Sequence, residues 1–253
     1  MQQQIRDFIQ ENRPRFNTKN NNLFATAFSQ IEHYFLYINI ISSRCKPLEK
    51  QLLKNLKKFD DSIIKDSNSH PLTNYQEELI REQRDLSLKI NLEIESSYLF
   101  AKILLDKIAK TIEFYFGPER GLSLNSHSEL NKSIEQYVIK KSIEINPELK
   151  KVMLELEEDI SGFRDKQIAH ICKERNPRII RGISFADDKK ANMVLSHLYP
   201  DHKDASKKSA SPEELLLLIA KYIEMIMKLI EENIERVFIK KDPEKSLESR
   251  KSQ

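Results

Sequence analysis

Glycine is scarce and tryptophan is missing: 253 residues hold four Gly and no Trp. Tight hairpin turns and phosphate-cradling loops both lean on glycine, so this scarcity argues against a sheet protein and against a Gly-rich nucleotide loop. The two cysteines, Cys45 and Cys172, are too few for a disulfide framework and lack zinc spacing, which predicts a reducing, cytoplasmic setting. Long apolar runs are absent too. Stretches such as Leu215–Ala220 meet charge long before they reach the length of a bilayer span, so no membrane insertion is expected. The opening MQQQIRDFIQENRPRF has no apolar signal core, and secretion is not expected. Nor is there a large excess of one charge: the net is +3, so a nucleic-acid site has to be a local basic patch.

What remains is rich in Leu, Ile, Lys and Glu, with 32% charged residues. That is the composition of a helical protein, and the spacing of its apolar residues agrees. Phe24, Phe28, Ile31, Phe35, Ile38 and Ile41 recur at helical intervals and predict a helix over residues 23–44, broken by Pro47. A charged helix over 48–65 follows. Thr73 and Gln76 have the spacing of a capping box. From Tyr75 to Phe116 neither Pro nor Gly intervenes, which predicts one long helix or two with a bend. On it Ile94, Tyr98, Ala101, Leu105, Ile108, Ile112 and Tyr115 share a side that Phe100, Ile103 and Leu104 widen. So broad an apolar face belongs at the centre of a bundle. Glu95, Lys102, Asp106 and Glu113 form its polar stripe, best explained as a solvated face with a Lys102–Asp106 pair.

Gly117-Pro118 ends that helix. A further helix is expected over 128–145. Asn146 caps the next, with Pro147 at its first position. After Asn176-Pro177 the chain looks irregular, with a short helix near 190–197 and a polar loop, DHKDASKKSA. Ser211-Pro212-Glu213-Glu214 starts the last helix, expected to reach about Lys240, and the tail over 241–253 is expected to be disordered. The predicted architecture is all-α, a bundle of long up-and-down helices. Residues 1–70 would be a helical extension and 71–240 the bundle proper. No repeat or β-hairpin signal stands out.

The helix after Pro147 runs into SGFRDKQIAHICKERN. On a helical wheel Leu149, Leu156 and Phe163 share one face, with Val152, Ile160 and Gln167 beside them. The next member of that row is His170, where an apolar residue is due. Arg164 flanks the same face, and Gly162 leaves room for a close approach. Histidine can exchange a proton near neutral pH, and arginine grips a phosphate through two parallel hydrogen bonds. Cleavage of a phosphodiester by its own 2′-hydroxyl needs those two services and no metal. Six residues of helix rise about 9 Å, so one Arg–His pair closes poorly on one phosphate. Two copies facing across a two-fold axis would close on it better. Just beyond, Lys173, Arg175, Arg178 and Arg181 stand against the single acid Glu174, a cluster suited to an RNA backbone.

FRDKQIAH, with Arg164, Asp165 and His170, resembles the signature of the HEPN superfamily in its abortive-infection form. ESSYLFAKILLDKIA resembles the central helix of those proteins, and the likeness covers roughly residues 75–240. It implies a dimeric helical bundle with a composite, metal-independent ribonuclease site and no cofactor. His170 would transfer the proton, Arg164 stabilise the phosphate, and Asp165 orient one of them. It further implies a toxin or anti-phage setting, with an antitoxin or defence-system partner protein. HEPN toxins silenced by nucleotidylation have Tyr two positions after the His. Here Cys172 stands there, so that control is not expected. The alternative is a non-catalytic interaction or nucleotide-binding module, with His170 hydrogen-bonded at an interface and Arg164 paired to Asp159 or Glu158.

Other candidates carry less. His197, His202, Asp201 and Asp204 have ligand chemistry but no second cluster, so a solvated loop accounts for them better. Cys172 sits on another face from His170 and is best read as structural. His33, near Tyr34, Phe35 and Tyr37, is expected in an aromatic core. His127 is expected at a loop or helix start, with cleft lining as the lesser alternative. Lys54–Lys58 is expected to be a solvated face.

Overall fold

The computed structural model describes residues 1–16, 18–65, 72–163, 178–185, 191–198 and 211–236. They form an all-α helical bundle, as composition and periodicity predict, with one small hairpin added. The elements are α1 (Gln2–Asn12), a 3-10 turn (Arg13–Arg15), α2 (Thr18–Lys65), α3 (Asn74–Phe116), α4 (His127–Lys141), α5 (Pro147–Phe163), β1 (Arg178–Phe185), β2 (Ala191–Leu198) and α6 (Pro212–Glu232). A last 3-10 turn covers Ile234–Arg236. The tail over 241–253 and the loop DHKDASKKSA lie outside the described residues.

Local signals set most of the boundaries. The Thr73–Gln76 capping box is present in full: the Thr73 N–H donates to Gln76 Oε1 at 2.9 Å, and the Gln76 N–H to Thr73 Oγ1 at 3.3 Å. Asn146 Oδ1 accepts from the Glu148 N–H at 2.8 Å, with Pro147 opening α5. Ser211 Oγ accepts from Glu214 in the same way. α4 lies earlier than expected, because Ser126 caps it and Ser142 closes it in the left-handed region at φ 54°.

Two segments differ in kind, not only in their ends, from the sequence expectation. α2 is one helix of 48 residues with Pro47 inside it. Proline there removes the N–H that would reach the Ser43 carbonyl, which costs about 3 kcal/mol in a helix interior. Ile41, Cys45 and Leu52 are all buried, so one apolar row packs on both sides of Pro47, and that packing outweighs the local defect. The segment after Asn176-Pro177 holds a two-stranded antiparallel hairpin rather than irregular chain and a short helix. Ile179, Ile180 and Ile183 pair with His197, Ser196 and Met193. β-branched residues favour extended chain, and Gly182 with the flanking charges hid that preference.

The chain divides into two compact units. The first is drawn from Met1–Tyr37, Phe100–Gly162 and Leu217–Gln253. Its aromatic centre is Tyr115, with Phe16, Phe24 and Phe28 set edge-on around it at 5.9, 5.0 and 5.9 Å between ring centroids. Leu130, Ile134, Leu156, Ile219 and Ile226 are also buried there. Asn233 ties the end of α6 to the loop before α5. Its Oδ1 accepts from the Glu144 N–H at 2.7 Å, and its Nδ2 donates to the Glu144 carbonyl at 2.8 Å. α6 ends at Glu232, short of the expected Lys240, and the 3-10 turn follows Asn233.

The second unit is drawn from Ile38–Leu99 and Phe163–Leu216. In it α2 buries Ile38, Ile41, Cys45 and Leu52, and α3 buries Leu79, Leu86, Ile90 and Ile94. Arg44 pairs with Glu93 at 2.9 Å. Burial, with Glu49 and Glu93 nearby, pushes the Cys45 thiol up to about 12, so it stays protonated and unreactive. Of the described residues 1–65, those up to Tyr37 belong to the first unit and those from Ile38 on to the second.

Candidate functional site

The basic and catalytic candidates cluster after Phe163. α5 buries Leu149, Val152, Leu156, Ile160 and Phe163, the row read from the sequence. Phe163 stacks on Tyr98 of α3 with ring centroids 4.1 Å apart. Arg164, Asp165, His170, Lys173 and Arg175 follow directly and lie outside the described residues, as do Gln167, Cys172, Asp201, His202 and Asp204. Arg178 and Arg181 fall in β1, paired along the backbone with Leu198 and Leu195. His197 is in β2, opposite Ile179.

A second constellation lies inside the first unit. α3 supplies Lys102 and Asp106, one turn apart. α4 supplies His127, its first residue, and Asn131 one turn on. α5 supplies Glu157 and α6 supplies Tyr222. His127 Nδ1 lies 2.8 Å from Glu157 Oε2, and Nε2 lies 3.0 Å from the Tyr222 hydroxyl. The His127 backbone N–H donates to Asp106 Oδ1 at 2.9 Å. Lys102 Nζ sits 3.5 Å from Asp106 and 3.6 Å from Glu157.

The donor inventory assigns the tautomer. A carboxylate only accepts, so Nδ1 carries the proton toward Glu157, and Nε2 accepts from the Tyr222 O–H. Burial holds His127 below the usual imidazole range, and Lys102 adds to that, while Glu157 and Asp106 pull the other way. Burial and the Glu157 charge together raise the Tyr222 hydroxyl. The tyrosine therefore stays protonated and donates.

This Glu–His–Tyr chain has the form of a proton relay, but both rings are sealed: His127 and Tyr222 are 0% exposed. No substrate atom reaches them, so the chain's work is to join α3, α4, α5 and α6. His127 thus begins a helix, as expected, and lines no cleft. The polar stripe of α3 is likewise not a solvated face. Its Lys102–Asp106 pair is present, but Lys102 is buried, and burial raises the half-buried Glu95. His33 is exposed rather than part of an aromatic core. Its neighbours Tyr34 and Tyr37 gather with Phe100 at 6.2 and 5.4 Å instead.

Sequence reasoning missed the network because its members are scattered over 120 positions of chain. Only the Lys102–Asp106 and His127–Asn131 spacings are local. Elsewhere a concavity of about 30 Å³ lies between Asn146, Leu149, Met225, Lys228, Leu229 and Glu232, room for about one water. Among the described residues no group of three or more His, Cys, Asp or Glu is placed to hold a metal ion. Among them, too, no helix is long and apolar enough to cross a membrane. No protein-family model, curated protein or solved structure matches this chain.

Proposed function

We propose that the chain is a metal-independent endoribonuclease of HEPN type that works as a homodimer in the cytoplasm, in a toxin or anti-phage defence setting. The observation that carries this reading is FRDKQIAH itself, following directly on the buried row of α5. A helical frame and an Arg164–Asp165–His170 motif that follows a core helix in the sequence are what the resemblance calls for. In this reading His170 takes the proton from the 2′-hydroxyl and Arg164 neutralises charge gathering on the phosphate. Asp165 orients one of the two. The products are a 2′,3′-cyclic phosphate and a free 5′-hydroxyl. Lys173, Arg175, Arg178 and Arg181 hold the RNA backbone beside the cut. Two chains together would supply two copies of the pair, which a helix running through both residues would space about 9 Å apart. An antitoxin or another defence protein would be the natural partner.

The test is cleavage of labelled single-stranded RNA in EDTA by wild type, Arg164→Ala and His170→Ala, with folding followed by circular dichroism. Removing a positioned acid–base group slows such chemistry by about 10²–10⁴-fold. Loss of cleavage in both folded variants supports the reading. A wild type inert on varied RNAs rejects it, and cleavage that survives both changes places the activity elsewhere.

A further inference from the structure

The unbroken course of α2 through Pro47 sets up a surface that two separate helices would not make. Continuous helix from residue 46 to 58 keeps Lys46, Lys50, Lys54, Lys57 and Lys58 in register. At 3.6 residues per turn they fall within a sector of about 120°. That sector lies opposite the row formed by Ile41, Cys45, Leu52 and Asn55, which is buried. All these lysines are exposed. Among the described residues Lys50, Lys54, Lys57 and Lys58 have no acid within ion-pair distance. Lys46, at the end of the track, meets Glu213 at 3.3 Å, with both side chains about 60% exposed. Such a pair is worth little and yields readily to a competing anion. Between residues 44 and 58 the sole acid is Glu49, which lies off the sector and engages the Cys45 thiol at 3.7 Å.

We propose that this lysine track is a binding surface for the phosphate backbone of single-stranded RNA. The i,i+4 step along a helix is about 6 Å, comparable to the separation of successive phosphates on an extended strand. A lysine is a point charge on a flexible stem, which suits contact with a backbone rather than with bases. The sector carries no large apolar or aromatic side chain, so neither insertion into a lipid surface nor base stacking fits it. The track stands on the geometry of α2. The choice of RNA as occupant rests on the proposed nuclease function, in which this surface adds to the hold on the substrate.

Binding of the full chain to fluorescein-labelled oligo(U) is measured by anisotropy over a series of salt concentrations. The comparison is with Lys50→Gln/Lys54→Gln/Lys57→Gln/Lys58→Gln and with a matched control, Lys89→Gln/Lys110→Gln/Lys132→Gln/Lys151→Gln. Each lost phosphate contact on a single strand lowers the salt slope by about 0.7. The track variant is therefore expected to lose about 3 from that slope and to bind at least tenfold more weakly, with its melting curve unchanged. The control keeps wild-type binding. Equal losses in both variants mean bulk charge alone and overturn the proposal, as does a track variant that binds like wild type. Tighter binding to duplex DNA or anionic vesicles through the same lysines overturns RNA as the occupant. The two proposals separate cleanly. Binding that needs the track without any cleavage keeps this surface and rejects the nuclease; cleavage with track-independent binding does the reverse.

Discussion

His127 offers the sharpest check on the buried network, because its contribution to stability depends on pH in a direction the structure fixes. Burial lowers its folded-state pKa below the ordinary 6.5. The unfolded chain therefore takes up the imidazole proton before the folded chain does. Stability contributed by neutral His127 is fully present above pH 6.5. It falls as pH drops toward the folded value, by up to about 1.4 kcal/mol per pH unit for one proton. Protonation also turns Nε2 from acceptor to donor, and the Tyr222 hydroxyl, 3.0 Å away and fully buried, loses its acceptor.

His127→Asn removes the titration and keeps an amide near Nδ1 to face Glu157, but leaves Tyr222 without a partner. At pH 7.5 the variant is expected to be about 2–4 kcal/mol less stable, from the orphaned hydroxyl and the lost ring volume. Near pH 5.5 the gap narrows by up to about 1.4 kcal/mol, because only the wild type must hold a buried imidazole against its proton. Urea unfolding of both proteins between those pH values, followed by circular dichroism, reads the difference directly. Adding Tyr222→Phe should return about 1 kcal/mol in the Asn background and cost a similar amount in wild type. A gap that stays constant with pH, or Tyr222→Phe costs that are equal in both backgrounds, would refute the assigned tautomer and its link to Tyr222.

Two further substitutions test the core of the first unit. Tyr115 is 0% exposed among phenylalanines, and its hydroxyl has no protein partner among the described residues, so Tyr115→Phe should leave stability unchanged or raise it by up to about 1 kcal/mol. A loss above that in thermal melts would mean the hydroxyl is satisfied after all. Asn233 makes hydrogen bonds to the Glu144 N–H, the Glu144 carbonyl and the Leu229 carbonyl, so Asn233→Ala should cost about 2–4 kcal/mol in urea unfolding, and a near-neutral result would show that loop and helix hold without it.

Much of the fold is legible in the residues because its causes are local. The α2 row from Phe24 to Ile41 and the α5 row from Leu149 to Phe163 are buried as their spacing predicts. Thr73, Asn146 and Ser211 cap where their chemistry says. The motif Arg164–Asp165–His170 is likewise a property of the sequence, found by asking why polar residues sit in an apolar row. Pro47 shows where such reasoning stops. A proline is a local cost, while the burial of Ile41, Cys45 and Leu52 on either side of it is a sum over neighbours that no window of sequence contains. That balance joins two expected helices into one and brings the lysines of α2 into line.

His127 lies beyond sequence reading for a related reason. By itself it is a histidine at a helix start. Its lowered pKa, its tautomer and its role come from Lys102, Asp106, Glu157 and Tyr222, which other helices carry in. Period and capping chemistry act within one turn of chain, and so the sequence alone determined the helices and most of their ends. Burial and charge pairing act between segments remote in sequence. Tertiary structure alone could therefore decide which charges are sealed in the core and which are left facing solvent.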